Sequence, residues 1–114
     1  MHMSEMKHAA AEAACLMQAL SHESRLMMLC MLVEGERSVG ELAAITGLKQ
    51  AAVSQHLAAL REQGFVTSRR EGRRRLYRHC DPNARAVVMR LYELYCPVPP
   101  TGPDQSDAAR EAVE

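Results

Sequence analysis

Residues 38–66 read SVGELAAITGLKQAAVSQHLAALREQGFV. Two runs of helical spacing flank the turn Gly47-Leu48-Lys49. The first, about Val39 to Thr46, is short, with Leu42, Ala43 and Ile45 directed inward. The second, about Gln50 to Gln63, places Val53, Leu57 and Leu60 on one side. Gly47 supplies the positive φ that such a turn often needs, and Gly64 closes the second helix. Two helices joined this tightly form a helix-turn-helix. With the Val53, Leu57 and Leu60 row inward, the outward face is Gln50, Ala51, Ser54, Gln55 and Ala58. Small residues let a helix settle into a major groove, and glutamine can pair bidentately with adenine. Gln50, Ser54 and Gln55 are therefore the expected groove-facing residues. His56 lies beside the core row and is a candidate for phosphate more than for base.

Working downstream, FVTSRREGRRRLYRHC (65–80) reads as a two-stranded hairpin. Phe65 to Arg69 and Arg75 to Cys80 are the expected strands, and Glu71-Gly72 marks the turn. Helix-turn-helix followed by hairpin is a winged-helix arrangement, mainly α with a small β element. Arg69, Arg70, Arg73, Arg74, Arg75 and Arg78 would grip phosphates across the wing. On its own such a charge run reads as a solvated hairpin; its place after the helix-turn-helix points to nucleic acid. Strand alternation sets Arg73, Arg75 and Tyr77 on one side and Arg74, Leu76 and Arg78 on the other. The formal net charge is zero, yet it is badly mixed. Seven arginines face two glutamates between Arg61 and Arg78, whereas four acids face one arginine from Pro97 to Glu114.

Working upstream, Ala9, Ala13, Leu16, Met17 and Leu20 mark a helix from about Glu5 to Leu20. Ser21 suits the N-cap of a second helix that runs to about Val33 and ends at Gly35. That helix is apolar on nearly all sides and should be central. After the wing, Asp81-Pro82 opens a last helix whose Val87, Val88, Leu91, Leu94 and Tyr95 form its apolar side, ending near Cys96. Residues 1–4 and the Pro-rich acidic stretch 97–114 are expected to be flexible, leaving one domain over residues 5–96. A chain of 114 residues buries about two-thirds of its unfolded surface, so a dimer interface would help it. No signal peptide and no apolar run near the roughly 20 residues of a bilayer span are present, which implies a cytoplasmic protein that engages no membrane. Cys15, Cys30, Cys80 and Cys96 carry no CxxC spacing and should not be structural disulfides in a reducing cytosol. No nucleophile–base pair, Gly-rich phosphate loop or cofactor motif stands out, so an enzyme is not expected.

The stretch ALSHESRLMMLCMLVEGERSVGELAAITGLKQAAVSQHLAALREQGFVTSRREGRRRLYR resembles the ArsR/SmtB family of bacterial repressors. The similarity covers roughly residues 9–96, and LSHESRL, SVGELA and AVSQHLAALREQGFV are its most specific pieces. It implies a homodimer built through the first and last helices, with two recognition helices reading half-sites of an inverted repeat in operator DNA. One departure concerns Lys49, where the family often has Ser; Lys49 does not cap as Ser does but can meet a phosphate.

Family metal sites are missing. The metalloid motif CxCxxC has SVGELA in its place, and the zinc pattern of the last helix finds no His in residues 82–96. What remains is Cys30, within LCMLVEGE, and Cys96, within LYELYCP. This placement resembles the persulfide- and redox-responsive SqrR/BigR, HlyU-like branch. The resemblance implies that Cys30 and Cys96 of one subunit become bridged by sulfur or as a disulfide, and that DNA is then released. Alone, a Cys in an apolar helix is usually a small hydrophobe. The alternatives are As(III) or another thiophilic ion held by thiolates, with Cys15 as a possible third, and a winged-helix module that binds protein instead of DNA.

Overall fold

The computed structural model describes residues 2–96. Its elements follow in the order α1 (Met3–Leu20), α2 (Glu23–Val33), β1 (Arg37–Ser38), α3 (Val39–Thr46), α4 (Gln50–Glu62), β2 (Val66–Glu71), β3 (Arg74–His79) and α5 (Pro82–Tyr95). This is a winged helix-turn-helix. α1 starts at Met3, inside the stretch expected to be loose; residues 97–114, expected as a flexible tail, lie outside the described residues.

Local chemistry explains most boundaries. Ser38 Oγ accepts from the Glu41 backbone N–H at 3.1 Å, and Glu41 accepts from the Ser38 N–H at 2.9 Å. This reciprocal capping box opens α3. Gly47, at φ +77°, closes it, a conformation that side chains with a Cβ resist. Asp81 caps α5 by accepting from Asn83 and Ala84, with Pro82 at the first position. The expectation for Ser21 fails. Its backbone is α-helical, whereas an N-cap is extended, and its Oγ donates back to the Gln18 carbonyl at 2.7 Å. Ser21 therefore closes α1, and His22 stands before α2.

The sheet is antiparallel in the order β1-β3-β2. Pairing runs from Val66↔His79 to Glu71↔Arg74, which leaves Gly72-Arg73 as the two-residue turn, one position later than Glu71-Gly72. Gly72 at φ +64° takes the first central position, which primed hairpin turns reserve for glycine. β1 was not expected from the sequence; its two residues pair Arg37↔Tyr77 and Ser38↔Leu76.

Met28, Leu29, Leu42, Val53, Leu57, Leu60 and Val88 form the buried centre. α2 passes through it and touches α1, α3, α5 and β3. Each of these large apolar side chains contributes about 1.5–3 kcal/mol by leaving water. Three residues expected inward are exposed: Ile45 at 44%, Leu94 at 59% and Tyr95 at 81%. Ile45 shares its side of α3 with fully buried Leu42, about 60° away, so its exposure is not a matter of helical phase. The buried positions of α5 are Ala84 and Val88, near its start, so its final turn has run past the core. Met17 on α1 is likewise half exposed.

Candidate nucleic-acid interface and dithiol site

The rotation of α4 is set by Val53, Leu57 and Leu60, all buried. That leaves Gln50, Ala51, Ser54, Gln55 and Ala58 exposed, with Lys49 exposed at the helix start. The surface between the glutamines is low, because Ala and Ser add little height. His56 points elsewhere. Arg25 Nε donates to His56 Nδ1 at 3.3 Å, and the His22 and His56 rings lie 4.5 Å apart. At 100° per residue His56 sits across the helix from Ala51 and Ser54. Burial, then the charges of His22 and Arg25, hold its pKa below the usual imidazole value. His56 therefore ties α4 to the start of α2. His22 and Arg25 were not singled out from the sequence, where no spacing links them to residue 56.

Cross-strand partners share a face of the sheet. Arg69, Glu71, Arg74, Leu76 and Arg78 lie on one face of the wing; Ser68, Arg70, Arg75, Tyr77 and His79 lie on the other. The first face carries its own counter-charges. Arg69 bonds both Glu36 oxygens at 2.8 Å and meets Glu71 at 3.2 Å, while Arg74 lies 3.8 Å from Glu41. The Arg69 hydrogen bonds hold the Glu36 carboxyl below the usual carboxylate range, with help from the charges of Arg69 and Arg78. On the other face and at the tip, Arg70, Arg73 and Arg75 form no ion pair among the described residues; Arg75 donates to Ser68 Oγ at 3.1 Å. Five of the six wing arginines, alike in the sequence, thus divide among the described residues into paired (Arg69, Arg74) and unpaired (Arg70, Arg73, Arg75) groups, while Arg78 acts on Glu36 only through its charge.

The two sequence-selected thiols converge. α2 packs against α5. Cys30 lies on α2, partly buried, and Cys96 follows the last turn of α5, its N–H bonded to the Tyr92 carbonyl at 2.8 Å. Burial, then the charge of Cys96, pushes the Cys30 thiol up. Tyr92 hydrogen-bonds the Cys96 side chain. That contact first, then burial and the charges of Cys96, Glu34 and Cys30, pushes its phenol up to about 12. Cys30, Glu34, Tyr92 and Cys96 therefore share one corner, and neither cysteine is in a disulfide.

The other cysteines lie apart. Cys15 is exposed on α1 and lines a groove of about 450 Å³ with Phe65, Asp81 and Ala84, at the start of α5. Cys96 is at the far end of that helix, about 20 Å away at 1.5 Å per residue. Cys80 Sγ lies 3.3 Å from the Gly64 carbonyl. Among the described residues no three His, Cys, Asp or Glu side chains converge as metal ligands. A three-thiolate metalloid site within one subunit therefore has no counterpart there. Among the described residues no helix is long and apolar enough to cross a membrane.

Comparison with known proteins agrees with this architecture. The family model described as bacterial regulatory protein, arsR family, matches residues 22–68. The transcriptional activator HlyU of Vibrio cholerae is 42% identical over 96 residues, which are 84% of this chain and 89% of HlyU. The biofilm growth-associated repressor of Xylella fastidiosa is 45% identical over 92 residues, covering 81% of each chain. The structure of reduced HlyU from Vibrio cholerae superposes with a TM-score of 0.80 at 41% identity, over 82% of this chain and 99% of that one. With its helix-turn-helix, wing and these relatives, the chain belongs to the ArsR family of bacterial transcriptional regulators, among the HlyU/BigR-like winged-helix members, and it is a DNA-binding protein and not an enzyme.

Proposed function

We propose that this chain is a dithiol-switched transcriptional repressor. It binds an inverted-repeat operator as a homodimer, with α1 and α5 in the subunit contact and the two α4 helices in successive turns of major groove. Exposed Met17, Leu94 and Tyr95 on those two helices support that contact. Gln50, Ser54 and Gln55 face the base edges. Lys49, Arg70, Arg73, Arg75 and Arg78 hold phosphates, while Arg69 and Arg74 stay mainly with their carboxylates. His56 serves as an internal tie. Repression ends when Cys30 and Cys96 of one subunit become linked.

The observation that carries this reading is the packing of α2 against α5, which brings Cys96 and Tyr92 into one corner with Cys30. The chemistry balances with a low-molecular-weight persulfide, RSSH, as the sulfur donor. The Cys96 thiolate attacks the terminal sulfur; the S–S bond of RSSH breaks and RS⁻ leaves, giving a Cys96 persulfide. Cys30 is converted in the same way. The terminal sulfur of the Cys30 persulfide then attacks the Sγ of Cys96, and HS⁻ leaves. The product is a trisulfide, Cys30–S–S–S–Cys96. A peroxide takes a shorter route: one thiolate becomes a sulfenic acid as hydroxide leaves, and the second thiol displaces water to form a disulfide. A sulfur chain tolerates a wider gap than the roughly 5.5–6 Å Cα separation of a simple disulfide.

Treatment of the protein with glutathione persulfide, peroxide and diamide in parallel, followed by peptide mass spectrometry and DNA titration, tests this. The expected product is a Cys30–Cys96 peptide pair, heavier than the disulfide by about 32 Da per extra sulfur, formed together with DNA release. Modification confined to Cys15 or Cys80, or a Cys30–Cys96 bridge that leaves DNA binding unchanged, would overturn it.

A further inference from the structure

The thiol corner and the wing meet at one side chain. His79 ends β3, is only 8% exposed, and has Nε2 2.8 Å from the Leu29 carbonyl oxygen. A carbonyl only accepts, so Nε2 carries the proton and donates, and Nδ1 is a bare lone pair. That Nδ1 is buried and meets no partner. The carbonyl in question belongs to the peptide bond joining Leu29 to Cys30. His79 therefore grips the Cys30 peptide unit from the wing, while Arg85 of α5 donates to the Val33 carbonyl at 3.2 Å, one turn further along α2.

Stability alone does not call for this arrangement. A carbonyl inside a helix already has its partner four residues on. An apolar side chain would fill the same space without burying an unmatched ring nitrogen. Among the described residues, this is the one side-chain hydrogen bond between the wing strands and α2.

We propose that His79 is the coupling residue of the switch: it carries a displacement of the Cys30 peptide into β3 and so into the wing. The proposal rests on the dithiol reading. When Cys30 is drawn toward Cys96, the Leu29 carbonyl turns with it, and the imidazole follows or loses its acceptor. β3 is hydrogen-bonded on both sides, to β1 and β2, so it moves with the sheet. From His79 to the turn at Gly72-Arg73 the strand is six residues, about 20 Å at ~3.3 Å per residue. A small tilt at its base becomes a larger displacement of Arg73 and Arg75 at the tip. His79 positions; it does not touch sulfur or DNA.

The test uses wild type, His79→Leu and His79→Gln, each reduced and each bridged with glutathione persulfide, the bridge quantified by mass spectrometry. DNA affinity is read on a duplex selected from a random pool with the reduced wild-type protein. Bridging is expected to lower wild-type affinity by about 10-fold or more, within the usual range of allosteric coupling. His79→Leu should bridge to the same extent but lose less than about 3-fold, and His79→Gln, whose amide can still donate, should restore most of the response. An equal loss in His79→Leu and wild type would overturn the coupling alone. Wild-type affinity that ignores the bridge would overturn the dithiol reading and the coupling with it. Nitrogen NMR of His79 in the wild type gives a second readout: the Nε2 signal should shift on bridging, and an unmoved signal would overturn the proposal whatever the variants do.

Discussion

The exposed surface of α4 and the wing and the corner holding Cys30 and Cys96 use ionisable groups in opposite ways. On the wing and α4, the exposed cations Lys49, Arg70, Arg73 and Arg75 form no ion pair among the described residues. Around Cys30 and Cys96, groups that become anionic crowd together with Tyr92 and with Glu34, which Arg37 already pairs at 3.1 Å. The first arrangement favours a large polyanion and tolerates small errors of position, since phosphate contacts act through space and counterion release. The second disfavours two thiolates at once. One sulfur is held as the partner of the other, so chemistry there proceeds one step at a time. The difference teaches that the two regions of this subunit can be changed separately.

Cys96→Ser should break the comparison most completely. The reduced variant should bind DNA within about 2-fold of wild type, as expected for a change outside the interface. Its affinity should not respond to persulfide, as anisotropy titrations before and after treatment would show; a full response would remove Cys96 from the switch. On the DNA side, Gln55→Ala should alter sequence preference by about 1–3 kcal/mol at one base position, measured by binding to single-base variants of a selected duplex. An unchanged preference would take Gln55 out of the base-reading set.

The two faces of the wing provide a sharper contrast. Arg75→Ala should lower the salt slope of binding by about 1 per subunit and weaken affinity similarly on all sequences. Arg69→Ala, whose guanidinium already holds Glu36 and Glu71, should change the slope much less. Equal slopes for the two variants would show that the internal carboxylates release Arg69 to DNA.

The smallest effect concerns pH. Burial, outweighing the hydrogen bond to Leu29, lowers the His79 pKa below its ordinary 6.5, and His56 shifts the same way. A lowered folded-state pKa means that the unfolded chain binds more protons. Stability is then fully present above about pH 6.5 and is lost as pH falls below that value. Thermal unfolding between about pH 8 and pH 5.5 should show a falling Tm, with a shallower fall in His79→Gln. Identical profiles would mean that His79 is not a source of the pH dependence.

Much of the helix-turn-helix and wing was legible in the sequence because it is local. Val53, Leu57 and Leu60 repeat at helical spacing, and their burial alone turns Gln50, Ser54 and Gln55 outward. Asp81-Pro82 and Gly47 announced their boundaries through backbone chemistry. The Ser38/Glu41 capping box was equally present in the text as S-x-x-E, though it was not singled out. Other features could not be read in this way. Ile45 and Leu94 are apolar, but exposure depends on which elements arrive opposite them, not on their own identity. β1 is two residues long and exists only because β3 offers an edge.

The sequence by itself determined the order of elements, the outward face of α4 and the density of positive charge on the wing, because side-chain periodicity and capping act within a few residues. The pairing of Cys30 with Cys96 had only a family resemblance to suggest it. Only the tertiary structure decided that these residues share a corner, that Glu36 and Glu41 neutralise some arginines and leave others uncompensated, that His56 turns to Arg25, and that His79 reaches the Cys30 peptide. Each of these last contacts joins residues far apart in the chain, and their meeting is set by how the helices and the sheet pack together, which no local pattern encodes.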